Sequence, residues 1–242
     1  MKKLSPAQRN RQLLEELSHN MPKDEMAVCV FVSPEYERFV STWAECVNLA
    51  YPKYQAVVIR KDDTDKNRMA AMRFTDGEDV LGDYPYVLIT DVDMLIMKET
   101  PSILYQHLFW MKKHGLECYS NSIVDNIRFS GVHFITRDWW AKTRPARERA
   151  RAEILKTGCA WGDDEKVLAK IIIESGLNVT KDQMLWNHHG IHLGAYKRAK
   201  TFNVTGSQSS FLSDFLSRKG FGPEHTFPDT LACLKAISDS LN

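Results

Sequence analysis

The run Met26–Val32 is apolar at every position, rich in Val, and stops at Ser33-Pro34. Seven residues are too few for a typical buried helix, and this composition describes a strand covered on both faces. From Glu35 to Ala50, Phe39, Val40, Trp43, Cys46, Val47 and Ala50 recur at three- and four-residue steps, and Tyr51-Pro52 ends the pattern. A second β-rich run, Tyr54–Ile59, follows. Strand, helix and strand in that order require a right-handed crossover and a parallel sheet, with ligands bound beyond the carboxyl ends of the strands.

The remaining pattern extends this α/β arrangement. A helix is expected over Lys66–Arg73, a polar turn at Thr75–Asp79, and an apolar strand at Tyr86–Thr90 that runs straight into Asp91-Val92-Asp93. After Pro101 come a helix to about Lys113, a weaker strand near Glu117–Ser120, and a strand over Phe129–Ile135 with a glycine near its start. Trp139–Lys156 and Asp164–Glu174 read as helices, Thr205–Ser210 as loop, and the chain closes on two short amphipathic helices. Ser5–Ser18, with Leu13, Leu14 and Leu17, reads as a helical arm opened by Ser5 and Pro6. The expectation is one domain over 1–242: an arm at 1–24, a core at 25–197 and a helical tail at 198–242.

Charge narrows the function classes. Thirty-two basic against 31 acidic residues leave +1, so no global field holds the chain on nucleic acid or an anionic membrane. No apolar run approaches the ~18 residues of a membrane span, and residues 1–10 lack a secretory pattern, so a cytoplasmic chain is expected. The five cysteines form no CxxC or CxxH pair and read as small buried hydrophobes.

Two Asp-x-Asp triplets occur, Asp63–Asp65 and Asp91–Asp93. The first lies in the charged run Lys61–Lys66, whereas the second sits between a buried strand and the apolar Met94-Leu95-Ile96-Met97. Carboxylates flanked by apolar stretches call for a compensating positive charge. Alternate residues of an extended backbone point the same way, so Asp91 and Asp93 can share one oxygen-preferring divalent cation; the alternative is a turn or N-cap pair.

Tyr86-Val87-Leu88-Ile89-Thr90-Asp91-Val92-Asp93 resembles the strand-plus-DxD signature of GT-A glycosyltransferases, most closely the retaining enzymes of glycosyltransferase family 8. Val30–Tyr36 is similar to that family's first strand and base-binding turn, Phe129-Ser130-Gly131-Val132 to its Asn-(Ser/Ala)-Gly-Val strand, and Asp164–Leu168 to its Asp-Gln-Asp-x-Leu segment. His188–Gly194 resembles the late His-x-x-Gly motif. The chain departs from the pattern at Phe129, Glu165 and Lys166, and no Lys-Pro-Trp follows the histidines.

The resemblance implies an α/β/α sandwich with a mostly parallel central sheet and a sugar transfer from a nucleotide-sugar donor, UDP favoured. It implies a nucleotide pocket at Val32, Ser33 and Tyr36, donor contacts from Arg73, Asp91, Val92 and Gly131, and a Mn2+ (or Mg2+) site at Asp91, Asp93 and His189. His188 and His192 are the alternatives to His189, and Arg68 is the alternative to Arg73. Such an ion neutralises charge building on the departing diphosphate. Asp164 is the candidate for sugar or acceptor contact, or for a base if the enzyme inverts, and Asp163 is a catalytic candidate whose ordinary role is helix capping. The basic run Arg144–Arg151 reads as a solvated helix face with Trp139 and Trp140 in the core. The acceptor class stays open between glycan, small molecule, protein and nucleic acid. Two rival readings are a phosphotransferase of the haloacid-dehalogenase type using Asp91 and Asp93, and a catalytically silent nucleotide-sugar-binding module.

Overall fold

The computed structural model describes residues 26–63, 65–96, 103–124, 128–179, 190–192 and 215–218, together with Ser5, Gln8, Gln12 and Glu15. The calls on His188, His189, Cys233 and most of the arm and tail lie outside these residues. Ser5 and Gln8 exchange a reciprocal capping box: Ser5 N–H donates to Gln8 Oε1 (2.9 Å) and Gln8 N–H to Ser5 Oγ (3.2 Å), and Gln8, Gln12 and Glu15 are helical.

Strand β1 (Met26–Val32) is followed by a 3-10 turn at Pro34–Phe39 and helix α1 (Val40–Ala50). The helical pattern is thus split, because Pro34 starts a tight turn whose Tyr36 N–H bonds Ser33 O at 2.9 Å. Then come β2 (Gln55–Arg60), α2 (Lys66–Met72), the short α3 (Glu78–Leu81), β3 (Tyr86–Ile89) and β4 (Met94–Ile96). They are followed by α4 (Ile103–His114), β5 (Cys118–Val124), β6 (Arg128–Thr136), α5 (Arg137–Thr157), α6 (Asp163–Glu174) and β7 (Gly190–His192). Residues 215–218 are helical.

The main sheet has the order β2-β1-β3-β6-β5. β2, β1 and β3 are parallel, while β6 runs antiparallel to both β3 and β5, so four of the five strands share one direction. β5 ends at residue 124 and β6 starts at 128, a spacing too short for a crossover, which forces the reversed strand. β4 and β7 form a separate antiparallel pair, Met94 opposite His192 and Ile96 opposite Gly190.

Alternate residues of β1 feed opposite faces, as a strand buried on both sides must. Met26, Val28, Val30 and Val32 pack with Trp43, Val47, Leu108 and Met111; Phe215 and Leu216 belong to this core. Ala27 and Cys29 pack with Phe74, Ile89, Trp139, Trp140, Ala150 and Leu168. The chain is therefore an α/β/α sandwich around a mostly parallel sheet, and α1 packs back on β1 as its periodicity predicts. Cys29, Cys46 and Cys118 are buried thiols; Cys159 is half-buried. Among the described residues no helix is long and apolar enough to cross a membrane.

The basic run on α5 needs one correction. Arg144, Arg149 and Arg151 are exposed and pair with Glu78, Glu174 and Asp76, as a solvated face does. Arg147 is buried: its guanidinium donates to Thr143 Oγ1, Thr75 O, Trp140 O and Glu78, locking α5 over the loop before α3. Trp139 and Trp140 lie in the core as expected.

Candidate active site

The two Asp-x-Asp triplets do different work. Asp65 caps α2, its Oδ1 accepting from Asn67 N–H (3.0 Å) and Arg68 N–H (3.1 Å), and Asp63 binds Arg68. Arg68 is thereby engaged in a local ion pair with Asp63. The second triplet forms the turn at the carboxyl end of β3, closed by Met94 N–H onto Asp91 O at 3.3 Å. Trp43 Nε1–H donates to Thr90 Oγ1 (3.0 Å) and ties α1 to the residue just before it.

Arg73 ends α2 and is almost fully buried. Its Nη1 donates to Asp91 Oδ1 (2.5 Å) and its Nη2 to Asp164 Oδ2 (2.6 Å). Burial alone would lower the guanidinium pKa, but the charges of Asp91 and Asp164 outweigh it and raise it. Three candidates from distant parts of the chain thus converge on one point: Arg73, Asp91 and Asp164. Asp93 is buried beside them, with 7% of its surface exposed. Tyr36 lies within the same field; burial raises its phenol pKa first, then Asp93, Glu35 and Asp91 add to the rise against Arg38.

Asp164 reaches Arg73 because α6 starts abruptly. Gly162 takes φ +79° at its N-cap, a left-handed conformation that glycine adopts without a Cβ penalty. Asp163 does not cap that helix. Its Oδ2 accepts from Ala160 N–H (2.7 Å), upstream, and its Oδ1 binds Lys166 (2.9 Å), so the carboxylate braces the preceding loop. The Lys166 bond and then the Ala160 bond hold its pKa low. Both carboxylate oxygens are spent there, which separates Asp163 from the Arg73 cluster.

Val32, Ser33 and Val92 are buried, and the two valines belong to the core; Val32 O accepts from Lys61 N–H (3.1 Å) and Ser33 O from Tyr36 N–H (2.9 Å). The backbone carbonyls of Val32 and Ser33 are thus engaged in the strand end and the following turn. Gly131 falls at a β-bulge. Between the pairs Ser120–His133 and Ser122–Ser130, β6 carries one residue more than β5, the site of the extra residue being 131–132. The last β3–β6 pair is Ile89–His133, so Asp91 and Gly131 each stand two residues beyond it.

His133 carries no role in the sequence reading. It is fully buried, with Nδ1 2.7 Å from Ser120 Oγ and its ring edge-on to Phe74 at 4.8 Å between centroids. Arg73 shares that ring, its guanidinium carbon 4.9 Å from the Phe74 centroid. A second unforeseen feature is Trp161, 78% exposed in the loop that Asp163 braces. The glycines at 158 and 162 mark that loop in the sequence, but not the tryptophan's exposure.

Asp91, Asp93 and Asp164 against Arg73 leave two net negative charges at this end of β3, with the Asp91 side chain 35% exposed and that of Asp164 14% exposed. Among the described residues no group of three or more His, Cys, Asp or Glu is placed to hold a metal. His192 stands opposite Met94, immediately after Asp93, so β7 brings the end of the histidine segment to this turn.

No protein-family model and no curated protein sequence matches the chain. Among solved structures it is similar to glycosyltransferase GlyE of Streptococcus pneumoniae. The apo form is 14% identical with TM-score 0.48, covering 73% of this chain and 49% of that one. A second GlyE structure is 13% identical with TM-score 0.48, covering 90% and 64%. The chain therefore spans about half to two thirds of the GlyE length. A Drosophila β1,4-galactosyltransferase 7 mutant in complex with manganese, UDP-Gal and xylobiose is 18% identical, TM-score 0.40, over 74% of this chain and 77% of that one. Galactosyltransferase LgtC with donor and acceptor sugar analogs is 16% identical, TM-score 0.35, over 63% and 71%.

Proposed function

We propose that this chain is a metal-dependent glycosyltransferase of the GT-A type, moving a sugar from a nucleotide-sugar donor, UDP-linked by preference, to an acceptor hydroxyl. The observation that carries the reading is the convergence of Arg73, Asp91 and Asp164 beside Asp93, at the carboxyl end of β3. In a sheet of this kind that end is where ligands bind.

In the transfer, the bond from the anomeric carbon to the diphosphate oxygen breaks, a bond to the acceptor oxygen forms, and the acceptor proton leaves. Asp91 and Asp93, with a histidine of the 188–192 segment, would hold Mn2+ or Mg2+; when bound, such an ion supplies Lewis-acid neutralisation of the leaving diphosphate. Arg73 sits where it can add a fixed positive charge to the same leaving group, already desolvated and oriented before substrate arrives. Asp164 can accept a hydrogen bond from a sugar or acceptor hydroxyl, since only one of its oxygens is engaged by Arg73. Tyr36 borders the carboxylates from the turn after β1, the position proposed to receive the base.

A thermal-shift screen of UDP-, GDP- and CDP-sugars with and without manganese tests this directly. The expected result is a manganese-dependent stabilisation by UDP and UDP-sugars that Asp93→Ala abolishes, together with slow release of free sugar from one donor. Aryl-phosphate hydrolysis lost in Asp91→Asn, without nucleotide binding, would replace the transferase with a phosphotransferase. Binding without hydrolysis or transfer over a broad acceptor panel would leave a silent binding module.

A further inference from the structure

We propose that Trp43 is a positioning residue for the transfer: its indole N–H, bonded to Thr90, sets the turn that carries Asp91 onto Arg73. The inference rests on reading the site as one for a nucleotide-sugar, and adds a residue outside that site which decides its geometry.

Trp43 Nε1 donates to Thr90 Oγ1 at 3.0 Å, between α1 and the carboxyl end of β3. Trp43 is 1% exposed and Thr90 2%, so solvent does not compete for the bond. Leu88 belongs to the core on the α1 side of the sheet and Ile89 to the opposite core. The alternation continues past the strand: Thr90 meets Trp43, and Asp91 meets Arg73. The start of the turn is thus gripped from both faces of the sheet. Thr90 N–H extends the β1 ladder by one bond, onto Cys29 O at 3.0 Å, and the turn begins immediately after it. Threonine suits this position, because a β-branched side chain is restricted at χ1 and holds its hydroxyl in one direction.

The core does not need this bond in order to bury a tryptophan. Trp139 and Trp140 are as deeply buried, and neither indole N–H has a hydrogen-bond partner among the described residues. Of the three, the one given an acceptor is the one that touches the residue before Asp91. Helix α1 also continues directly from the 3-10 turn that carries Tyr36, whose ring centroid lies 5.9 Å from that of Phe39. One helix therefore references both the turn proposed to receive the base and the turn that carries Asp91. Without the bond β3 keeps its ladder, but the turn loses its tie to α1, and a small displacement there is enough to spoil the alignment of Asp91 and Arg73 with the reacting bond.

Two substitutions at Thr90 in the full chain test this. Thr90→Val keeps the side chain's volume and removes the acceptor, whereas Thr90→Ser keeps the hydroxyl and removes a buried methyl. Both should melt below wild type, the first from an orphaned indole N–H and the second from lost packing. Their activities should part. Free sugar released from a panel of UDP-sugars, with manganese present, gives kcat, and calorimetry gives the affinity for UDP. Thr90→Val is expected to lose about 10-fold or more in kcat with UDP affinity within about 3-fold of wild type, and Thr90→Ser to stay within about 3-fold in both. Trp43→Phe should lose about as much as Thr90→Val, and the two combined no more than either alone. Wild-type kcat in Thr90→Val overturns the proposal, as do losses that multiply in the double variant. A loss in Thr90→Ser equal to that in Thr90→Val also overturns it, because activity then follows stability and not the bond. A wild type that neither binds UDP nor releases sugar from any donor overturns the nucleotide-sugar reading itself, before any variant is compared.

Discussion

Arg73 Nη2 donates to Asp164 Oδ2 across 2.6 Å, joining residues 91 positions apart and tying the end of α2 to the first turn of α6. Both side chains are largely buried, so this is one of the ion pairs whose loss is felt. Asp164→Asn keeps the shape and removes the charge, while Asp91 still holds the other guanidinium nitrogen. The expected cost is about 1–3 kcal/mol, read as a fall in melting temperature. Transfer should fall by about 100-fold if the carboxylate contacts a reacting hydroxyl. Full transfer activity in a destabilised Asp164→Asn would make the residue purely structural.

Two chemically identical triplets give a matched comparison. Asp65→Ala removes a helix cap and should cost about 1 kcal/mol while leaving the nucleotide and manganese responses in place. Asp93→Ala should abolish those responses. Thermal shifts of the two variants under identical ligand conditions separate the roles, and loss of the response in Asp65→Ala would mean that the site reaches further toward the first loop than proposed.

How much of this was legible in the sequence depends on the range of the interaction. β1, α1 and β3 follow from local periodicity, because each is buried by its own pattern of apolar residues. Asp91 was separable from Asp63 by its apolar flanks, and Arg73 was named with Arg68 as its alternative. What distinguishes their surroundings is tertiary: only the fold shows Arg68 paired with Asp63 and Arg73 buried between Asp91 and Asp164. Asp163 was given a cap's role because Asp before a helix ordinarily caps it, but a left-handed Gly162 takes the cap position and turns the carboxylate back to Ala160. The reversal of β6 and the bulge at 131–132 depend on strand pairing, which no single-strand pattern encodes. Arg147, drawn among exposed arginines by composition, is buried because backbone carbonyls of Thr75 and Trp140 need donors there.

His133 should set part of the acid limb of stability. Burial first, then Arg73 and His107, hold its pKa well below 6.5, with Asp91 opposing. A folded-state pKa below the unfolded one means that the unfolded chain takes up the proton first. This contribution is therefore complete above about pH 6.5 and is lost as pH falls below it, with a slope of up to about 1.4 kcal/mol per pH unit. In His133→Gln the drop in stability between about pH 6.5 and 5 should be shallower than in wild type, whatever the offset between the two curves. Urea titrations at a series of pH values check this; parallel curves would show that His133 is not the group responsible.

Gly162 is expected to resist substitution although it has open space around it. A Cβ there meets nothing within 4 Å, so any cost of Gly162→Ala comes from holding φ at +79°. That strain is about 1–2 kcal/mol, and relieving it would rotate the start of α6 and carry Asp164 off Arg73. A lowered melting temperature together with a weakened UDP response is the expected pair of changes. A melting temperature equal to wild type would show that the turn tolerates a side chain.

Trp161 supplies a test of the acceptor side that leaves the donor chemistry untouched. Its ring is 78% exposed, three residues before Asp164, on a loop that Asp163 pins through Ala160 N–H. A large aromatic held in water by a braced loop has the form of a stacking surface, and the apolar face of a pyranose ring is a partner of matching size. Removing it exposes no core, so Trp161→Ala should change stability by less than about 0.5 kcal/mol. If it receives a glycan acceptor, the acceptor KM should rise about 10-fold, while donor hydrolysis in the absence of acceptor stays at the wild-type rate; Trp161→Phe should recover much of the loss. An unchanged acceptor KM would place the acceptor elsewhere, whereas a parallel fall in donor hydrolysis would make the tryptophan part of the donor site instead.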